Sequence, residues 1–133
     1  MAEKTFTVER CDHIVLTVAD KGKTVAFYTE VLGMRAEEFG AGRVALVYGT
    51  GKINLHEAAG APILPRAKEP TPGSADLCFI VDSPLDVVIA TLKEKGVAIE
   101  LGPVERTGAF SKLRSVYVRD PDGNLIELAN TVA

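Results

Sequence analysis

The order strand, helix, strand, strand, strand can be followed twice along this chain. In the first half the run DHIVLTV precedes a helical stripe that stops at Gly33, and three strand-like runs follow. In the second half the run ADLCFIV precedes a stripe that stops at Gly96, 63 residues after Gly33. A duplicated half-domain is a fold-level signal, and each half alone has an open sheet face to bury. The pattern therefore predicts an α+β fold of two βαβββ modules that pair within one chain or between two.

The first module is predicted at about residues 9–58. Its first strand is Asp12–Val18, after which Asp20 can cap a helix of about Lys21–Leu32. Gly-bearing turns separate the next three strands, Arg35–Phe39, Arg43–Tyr48 and Lys52–Glu57. A connector of about residues 59–74 contains four prolines, so neither a helix nor a strand is expected there.

The second module is predicted at about residues 75–131. After a strand at Ala75–Val81, Ser83 is expected to cap a helix whose first residue is Pro84. Three further strands are predicted, at Val97–Leu101, Leu113–Arg119 and Asn124–Asn130, with a long loop at Gly102–Ser111. The segment Asp120-Pro121-Asp122-Gly123 predicts a tight turn before the last strand, because proline and glycine favour the backbone angles of such turns.

The composition of the chain indicates which binding partners and which cellular compartment are expected. A chain of 133 residues with a net charge of −3 and a pI near 5.4 fits one domain. The acidic balance argues against nucleic acid or an anionic membrane, since both attract a basic face. The absence of a long apolar run or an apolar leader predicts a cytoplasmic protein without a membrane span. Cys11 and Cys78 fit no metal or disulfide spacing, which predicts buried free thiols.

Alternation along the strands gathers unusual polar residues on faces turned away from the helices. Glu127 occupies an apolar run, where an ionised carboxylate is costly unless it is paired or binds a cation. By the same alternation the chain's two histidines, His13 and His56, and the acid Asp76 also point away from the helices. We therefore hypothesise one cleft that contains His13, His56, Asp76 and Glu127.

Such a group of side chains has one functional and one structural interpretation. Imidazole and carboxylate are ligands of zinc, iron, manganese and nickel, and an incomplete set leaves positions open for water and substrate. In the structural interpretation the histidines form hydrogen bonds within the protein. The acids then form hydrogen bonds with neighbouring strands or ion pairs with Arg106, Lys112 or Arg114. Spacing does not choose between the two, because the residues come from four separate strands.

Four segments carry a resemblance to a known family: DHIVLTV, FYTEVLGM, KINLHE and RDPDGNLIEL. With these motifs the chain resembles the vicinal oxygen chelate superfamily, which includes glyoxalases, bleomycin-resistance proteins and extradiol dioxygenases. The segments PTPGSADLCFI and GPVERTGA also resemble the subgroup of glyoxalase domain-containing protein 5. The resemblance implies two βαβββ modules that form a cupped mixed β-sheet around a divalent transition metal (Zn, Ni, Fe or Mn). It also implies a homodimer.

The same resemblance implies roles for individual residues. His13 matches the usual histidine of the first strand, and Glu127 matches the usual glutamate of the last. Asp76 stands where a histidine is usual, and Asn54 stands where Glu or Gln is common, with His56 two residues later. The implied metal ligands are His13, His56, Asp76 and Glu127, and the candidate catalytic residues are Asp76 and Glu127. An amide has no basic group, so Asn54 cannot be the base.

Asn54, Arg106 and Tyr117 are candidate substrate-binding residues. Arg106 lies in the predicted loop and is interpreted either as part of a flexible lid that meets an anionic substrate or as a solvated charge. Tyr117 lines a pocket in one interpretation and packs at a rim in the other.

Together these observations predict a metal-dependent enzyme whose small substrate is chelated through two neighbouring oxygens. Its reaction is either lyase or isomerase chemistry through an enediolate, or ring-opening oxygenation. The alternative is a metal-free protein that sequesters a drug-like molecule, as bleomycin-resistance members of the superfamily do. A third possibility is a structural or regulatory remnant with a decayed site.

Overall fold

The computed structural model describes residues 5–132 and contains the predicted repeat. Each module forms one four-stranded mixed sheet in which the first strand runs parallel to the last. The strand orders are β1-β4-β3-β2 and β5-β8-β7-β6. The strands are β1 His13–Val18, β2 Arg35–Phe39, β3 Arg43–Tyr48, β4 Gly51–Glu57, β5 Asp76–Ile80, β6 Leu101–Thr107, β7 Lys112–Arg119 and β8 Leu125–Val132. The predicted fold class is confirmed.

The first helix begins as its sequence predicts and changes form halfway. α1 spans Lys21–Ala26 and continues as a π-helical turn at Phe27–Val31. The side chain of Asp20 accepts a hydrogen bond of 3.0 Å from the Lys23 backbone N–H, which is the predicted cap. The predicted helix of Lys21–Leu32 is therefore helical from Lys21 to Val31, but its second half is wider than an α-helix.

The second helix, α2 at Leu85–Glu94, begins with a cap that the sequence did not predict. The Leu85 backbone N–H donates to the side-chain oxygen of Asn130 at 2.7 Å, and the Asn130 amide donates to the Ser83 carbonyl at 2.8 Å. The Ser83 hydroxyl instead donates to Asp82. The predicted Ser83 cap is wrong, because an amide from the end of the chain supplies both an acceptor and a donor at this helix start.

The predicted loop at Gly102–Ser111 is also wrong over most of its length. β6 occupies Leu101–Thr107, whereas the predicted strand Val97–Leu101 contributes only its last residue. Pro103 falls where the pairing of β6 with β7 shifts register, between Leu101 and Val104. A proline is tolerated at a bulge on an edge strand because the hydrogen bond that it cannot donate is not required there.

The two modules share one hydrophobic core built from the strand faces that carry the helices. Between the modules the rings of Tyr48 and Phe79 meet edge to face with centroids 5.2 Å apart. Leu16 and Val18, which alternate along β1 with the outward-facing Val15, are buried in this core. The buried members of the core are Leu16, Val18, Tyr28, Leu46, Ile53, Leu55, Leu85, Leu92, Val116, Val118, Ile126 and Leu128.

Because the helix-bearing faces meet, the opposite faces of both sheets point outward. Val15 on β1 and Ile80 on β5 are 45% and 56% exposed at these faces. The outward face of the β1–β4 sheet is called outer face one, and the outward face of the β5–β8 sheet is called outer face two. Within residues 5–132 no helix is long and apolar enough to cross a membrane.

Candidate functional site

Outer face one carries His13 and Asn54 as diagonal neighbours. β1 lies parallel to β4, with His13 opposite Lys52, Val15 opposite Asn54 and Thr17 opposite His56. His56 is therefore four register positions from His13, which is roughly 13 Å at the usual rise of a strand. Side chains stand perpendicular to a sheet, so the two histidines of one chain do not meet at one metal ion.

Outer face two carries Asp76 and Glu127 in the equivalent arrangement. β5 lies parallel to β8, with Asp76 opposite Leu125 and Cys78 opposite Glu127. Asp76 is thus the counterpart of His13, and Glu127 is the counterpart of Asn54. The duplicated fold places these four candidate residues as two matching pairs, one on each outer face.

The two pairs do not come together within one chain. In the part of the chain that the structure describes, no three His, Cys, Asp or Glu side chains are close enough to hold a metal ion. The hypothesised cleft of His13, His56, Asp76 and Glu127 is therefore not formed by a single copy. The reason is the shared core, which turns the two outer faces away from each other.

His13 is half-exposed and is held by its neighbour. Its Nδ1 lies 2.9 Å from Oδ2 of Asp12, and this hydrogen bond lowers the pKa of the Asp12 carboxyl. A carboxylate on one ring nitrogen orients the imidazole and increases the basicity of the other, which is the usual support of a metal-binding histidine.

Glu127 lies on β8 between Ser115 and Cys78. One of its carboxylate oxygens, Oε2, accepts a hydrogen bond of 2.7 Å from the buried hydroxyl of Ser115. Partial desolvation, followed by the charge and hydrogen bonding of Glu127, raises the pKa of the Cys78 thiol to about 11. Both cysteines are exposed residues, so the prediction of buried thiols is wrong. Cys78 has a polar environment because it faces outward with Glu127.

Asn54 and His56 are buried side by side on β4 with unused polar atoms. Asn54 Oδ1 and His56 Nε2 have no hydrogen-bond partner among residues 5–132. Leaving such a group buried and unpaired costs about 1–3 kcal/mol. Burial, and after it the charges of Arg43 and Arg66, lower the pKa of His56. Both atoms are therefore available to a ligand.

Arg106 and Tyr117 form a pair on outer face two. Arg106 Nε donates to the Tyr117 hydroxyl at 2.9 Å, and its guanidinium lies 5.5 Å from the centre of that ring. Arg106 belongs to strand β6 and not to a lid, whereas Phe110 lies in the turn that follows and is fully exposed. Tyr117 is directly opposite Glu127 in the β7–β8 ladder. Arg106 and Glu127 both line a cavity of about 570 Å³ beside this turn.

Three residues of these faces were missed by sequence reasoning: Ser115, Arg43 and Arg66. Ser115 alternates onto the same face as Tyr117, so strand parity was a usable signal for it. Arg43 is the first residue of β3, next to Val44, which pairs with Leu55 of β4, so its proximity to His56 could be found only from the β3–β4 register. Arg66 comes from the connector, and only the tertiary structure shows that it approaches His56.

By type, the donors of the two pairs are those that divalent transition metals prefer, although one chain does not bring the pairs together. His13 offers an imidazole nitrogen, Asp76 and Glu127 offer carboxylates, and the unpaired oxygen of Asn54 is a further neutral ligand. Nitrogen and oxygen donors of this kind suit Mn, Fe, Ni and Zn, and they do not favour a soft monovalent ion.

The profile of the Glyoxalase/Bleomycin resistance protein/Dioxygenase superfamily matches residues 10–128. Virulence protein STM3117 of Salmonella typhimurium is 50% identical over 125 residues, 94% of this chain and 86% of that protein. Its crystal structure agrees with a TM-score of 0.93 over 96% of this chain and 100% of that chain. Glyoxalase domain-containing protein RDO1 of Mycosarcoma maydis is 46% identical over 128 residues, 96% of this chain and 72% of that protein.

Two more distant solved structures share the fold alone. One is TnmS3, an antibiotic binding protein from Streptomyces sp. CB03234, at 24% identity and a TM-score of 0.72 over 96% of this chain and 99% of that chain. The other is a lactoylglutathione lyase from Agrobacterium tumefaciens, at 23% identity and a TM-score of 0.71 over 93% of this chain and 95% of that chain. By profile, sequence and fold, the chain belongs to the Glyoxalase/Bleomycin resistance protein/Dioxygenase superfamily.

Proposed function

We propose that the protein is a divalent-metal-dependent enzyme whose site forms between two copies of the chain. His13 and Asn54 of one copy would face the partner subunit's Asp76 and Glu127. One observation carries this proposal: the two matching pairs lie on opposite outer faces, and the described part of one chain contains no group of three such donors.

Two-fold symmetry explains why both pairs are left open in one chain. In a symmetric dimer the same two surfaces meet twice, so one contact would complete two equivalent sites. The outer faces and the turn after β6 also expose apolar side chains that a second copy would cover, namely Val15, Ile80, Leu101 and Phe110.

The residues of this site support lyase or isomerase chemistry on a small substrate with two neighbouring oxygens. A metal ion in such a site polarises a substrate oxygen as a Lewis acid. Asp76 is an exposed carboxylate two positions along the β5–β8 ladder from Glu127, and it would move a proton between adjacent carbon atoms of the substrate. Ser115 fixes the carboxylate of Glu127, and Asn54 contributes only a neutral oxygen. Ring-opening oxygenation would use the same metal-binding residues.

A second candidate function is metal-free binding of a drug-like molecule. The cavity of about 570 Å³ between Ile80, Arg106 and Phe110 favours it, because pockets of this size hold drug-sized ligands. TnmS3, with the same fold, is an antibiotic binding protein. If this is the function, His13 and Glu127 do not bind a metal ion.

The deciding experiment measures metal by elemental analysis in wild type, His13→Ala, Glu127→Ala and an equimolar mixture of the two variants after unfolding and refolding together. We expect one divalent metal per wild-type chain and none in either variant alone. In random heterodimers of a cross-subunit site one of the two sites is intact, so the mixture should regain about a quarter of the wild-type metal.

Glu94→Ala, an exposed carboxylate at the end of α2, is the control and should keep its metal. A mixture that regains nothing while wild type binds metal would place the whole site within one chain. Wild type without metal, and without thermal stabilisation by any divalent ion, would favour the metal-free binding protein.

A further inference from the structure

A second potential ligand site lies at the far end of outer face one, where the connector crosses β4. The cavity there is about 220 Å³ and is lined by Lys21, Arg43, His56 and Arg66. On its other side His56 lines a cavity of about 230 Å³ that Arg66 also borders. His56 and Arg66 thus separate two small spaces under the connector.

The cavity beside His56 has an excess of positive charge. Lys21 is balanced by Glu57, whose carboxylate lies 3.6 Å from its ammonium group. Arg43 and Arg66 form no salt bridge with any acidic residue among residues 5–132. The guanidinium of Arg43 stacks 4.6 Å from the ring centre of Phe39, which fixes its plane.

Two buried nitrogens of this lining lack partners. His56 is 9% exposed, and its Nε2 has no hydrogen-bond partner within the described chain. The Nε of Arg43, which lines the same cavity from the start of β3, is likewise buried and has no partner among residues 5–132. An oxyanion would satisfy such donors with charge-assisted hydrogen bonds. A cation would be repelled by the two guanidinium groups of this lining.

We infer that this cavity binds a carboxylate or phosphate oxyanion through His56, Arg43 and Arg66, and that this anion is the charged end of the substrate. The second half of the inference rests on the proposed function. Asn54 and His56 point to the same face two residues apart, roughly 7 Å. The substrate class is therefore a small acid whose oxyanion lies about that distance from the two oxygens chelated near Asn54 and His13.

The probes are sulfate, which imitates a phosphate group, and succinate, which carries carboxylates. The chain contains two histidines, so imidazole NMR signals can be assigned with His13→Asn and His56→Asn. We expect titration with at least one of the two anions, at constant ionic strength, to shift the signal of His56 and to leave that of His13 unchanged. The anion that shifts it more strongly identifies the carboxylate or the phosphate class.

Arg66→Ala tests the geometry, and Lys68→Ala is the matched control. Both are exposed basic residues of the same connector, but Lys68 borders neither cavity. Loss of a charge-assisted hydrogen bond should weaken anion binding about tenfold in Arg66→Ala. Lys68→Ala should change the affinity for the anion less than twofold, because salt in the solvent screens an exposed charge outside the cavity. Equal weakening in both variants would overturn the inference.

The same titration in metal-free His13→Ala separates this inference from the proposed function. Anion binding at His56 that persists there supports the oxyanion site even if the protein proves to bind no metal. If wild type binds metal but neither sulfate nor succinate shifts the His56 signal, the inference is overturned while the metal site stands.

Discussion

At the scale of single residues, Glu127 shows how the neighbours of a carboxylate prepare it for a ligand. Ser115 donates to one of its oxygens at 2.7 Å, and Cys78 lies directly opposite on β5. The carboxylate in turn disfavours a second negative charge beside it, which contributes to the raised pKa of the Cys78 thiol, about 11. Cys78 therefore remains protonated at neutral pH and is a poor candidate for a nucleophile.

We predict slow alkylation of Cys78 in the folded protein. In the Cys11→Ser background only Cys78 can react, and at pH 8 a pKa of about 11 leaves little thiolate. The higher nucleophilicity of a less acidic thiol offsets part of this loss, so the rate should be about tenfold below that of the unfolded chain. Iodoacetamide labelling followed by mass spectrometry measures both rates. Glu127→Gln should accelerate the folded reaction, and an unchanged rate would exclude the influence of Glu127.

At the scale of elements, the edge strand β6 depends on a backbone approach that only glycine permits. Gly102 has φ = +116°, and a Cβ there would lie 2.5 Å from the carbonyl oxygen of Ser115 on β7. Contact with a backbone atom cannot be relieved by turning a side chain. Because the Ser115 hydroxyl donates a hydrogen bond to Glu127, a shift of β6 against Ser115 would also affect the candidate site.

Gly102→Ala should lower the free energy of unfolding by about 3 kcal/mol, since strain at positive φ adds to the collision. Gly96→Ala is the matched control. Gly96 also has a positive φ, of +71°, but nothing lies within 4 Å of its added Cβ. There we expect a loss of about 1 kcal/mol from backbone strain alone. Urea unfolding measures the free energy of unfolding of both variants. Equal decreases would mean that β6 can shift away from the Ser115 carbonyl at no cost.

At the scale of the whole molecule, a buried polar contact joins the two modules. The Tyr28 hydroxyl, in the π-helical turn of module one, donates to Asp120 of module two at 2.7 Å. Asp120 also accepts hydrogen bonds from the backbone of Asp122 and Asn124, so it organises the turn that leads into β8. Burial, and then Asp120, raise the pKa of Tyr28, which keeps its hydroxyl a donor.

Tyr28→Phe should lower the free energy of unfolding by about 1–3 kcal/mol, because a buried carboxylate loses a donor. A double-mutant cycle with Asp120→Asn should show coupling between the two residues. Tyr117→Phe is the control, since its hydrogen bond with exposed Arg106 competes with water and should be worth less than about 1 kcal/mol. Additive effects of Tyr28 and Asp120 would show that the contact does not couple the modules.

The amino-acid sequence alone determined the two modules, most strand positions, the Asp20 cap and the outward direction of His13, His56, Asp76 and Glu127. These features depend on local capping and on the period of two, which a single segment carries in full. Tertiary structure decided the remainder. The Asn130 cap, the strand at Pro103, the approach of Arg66 to His56 and the separation of His13 from Glu127 all depend on segments distant in sequence. Such contacts depend on how the two sheets pack around the core, and the packing of the sheets cannot be predicted from the pattern of any one short segment.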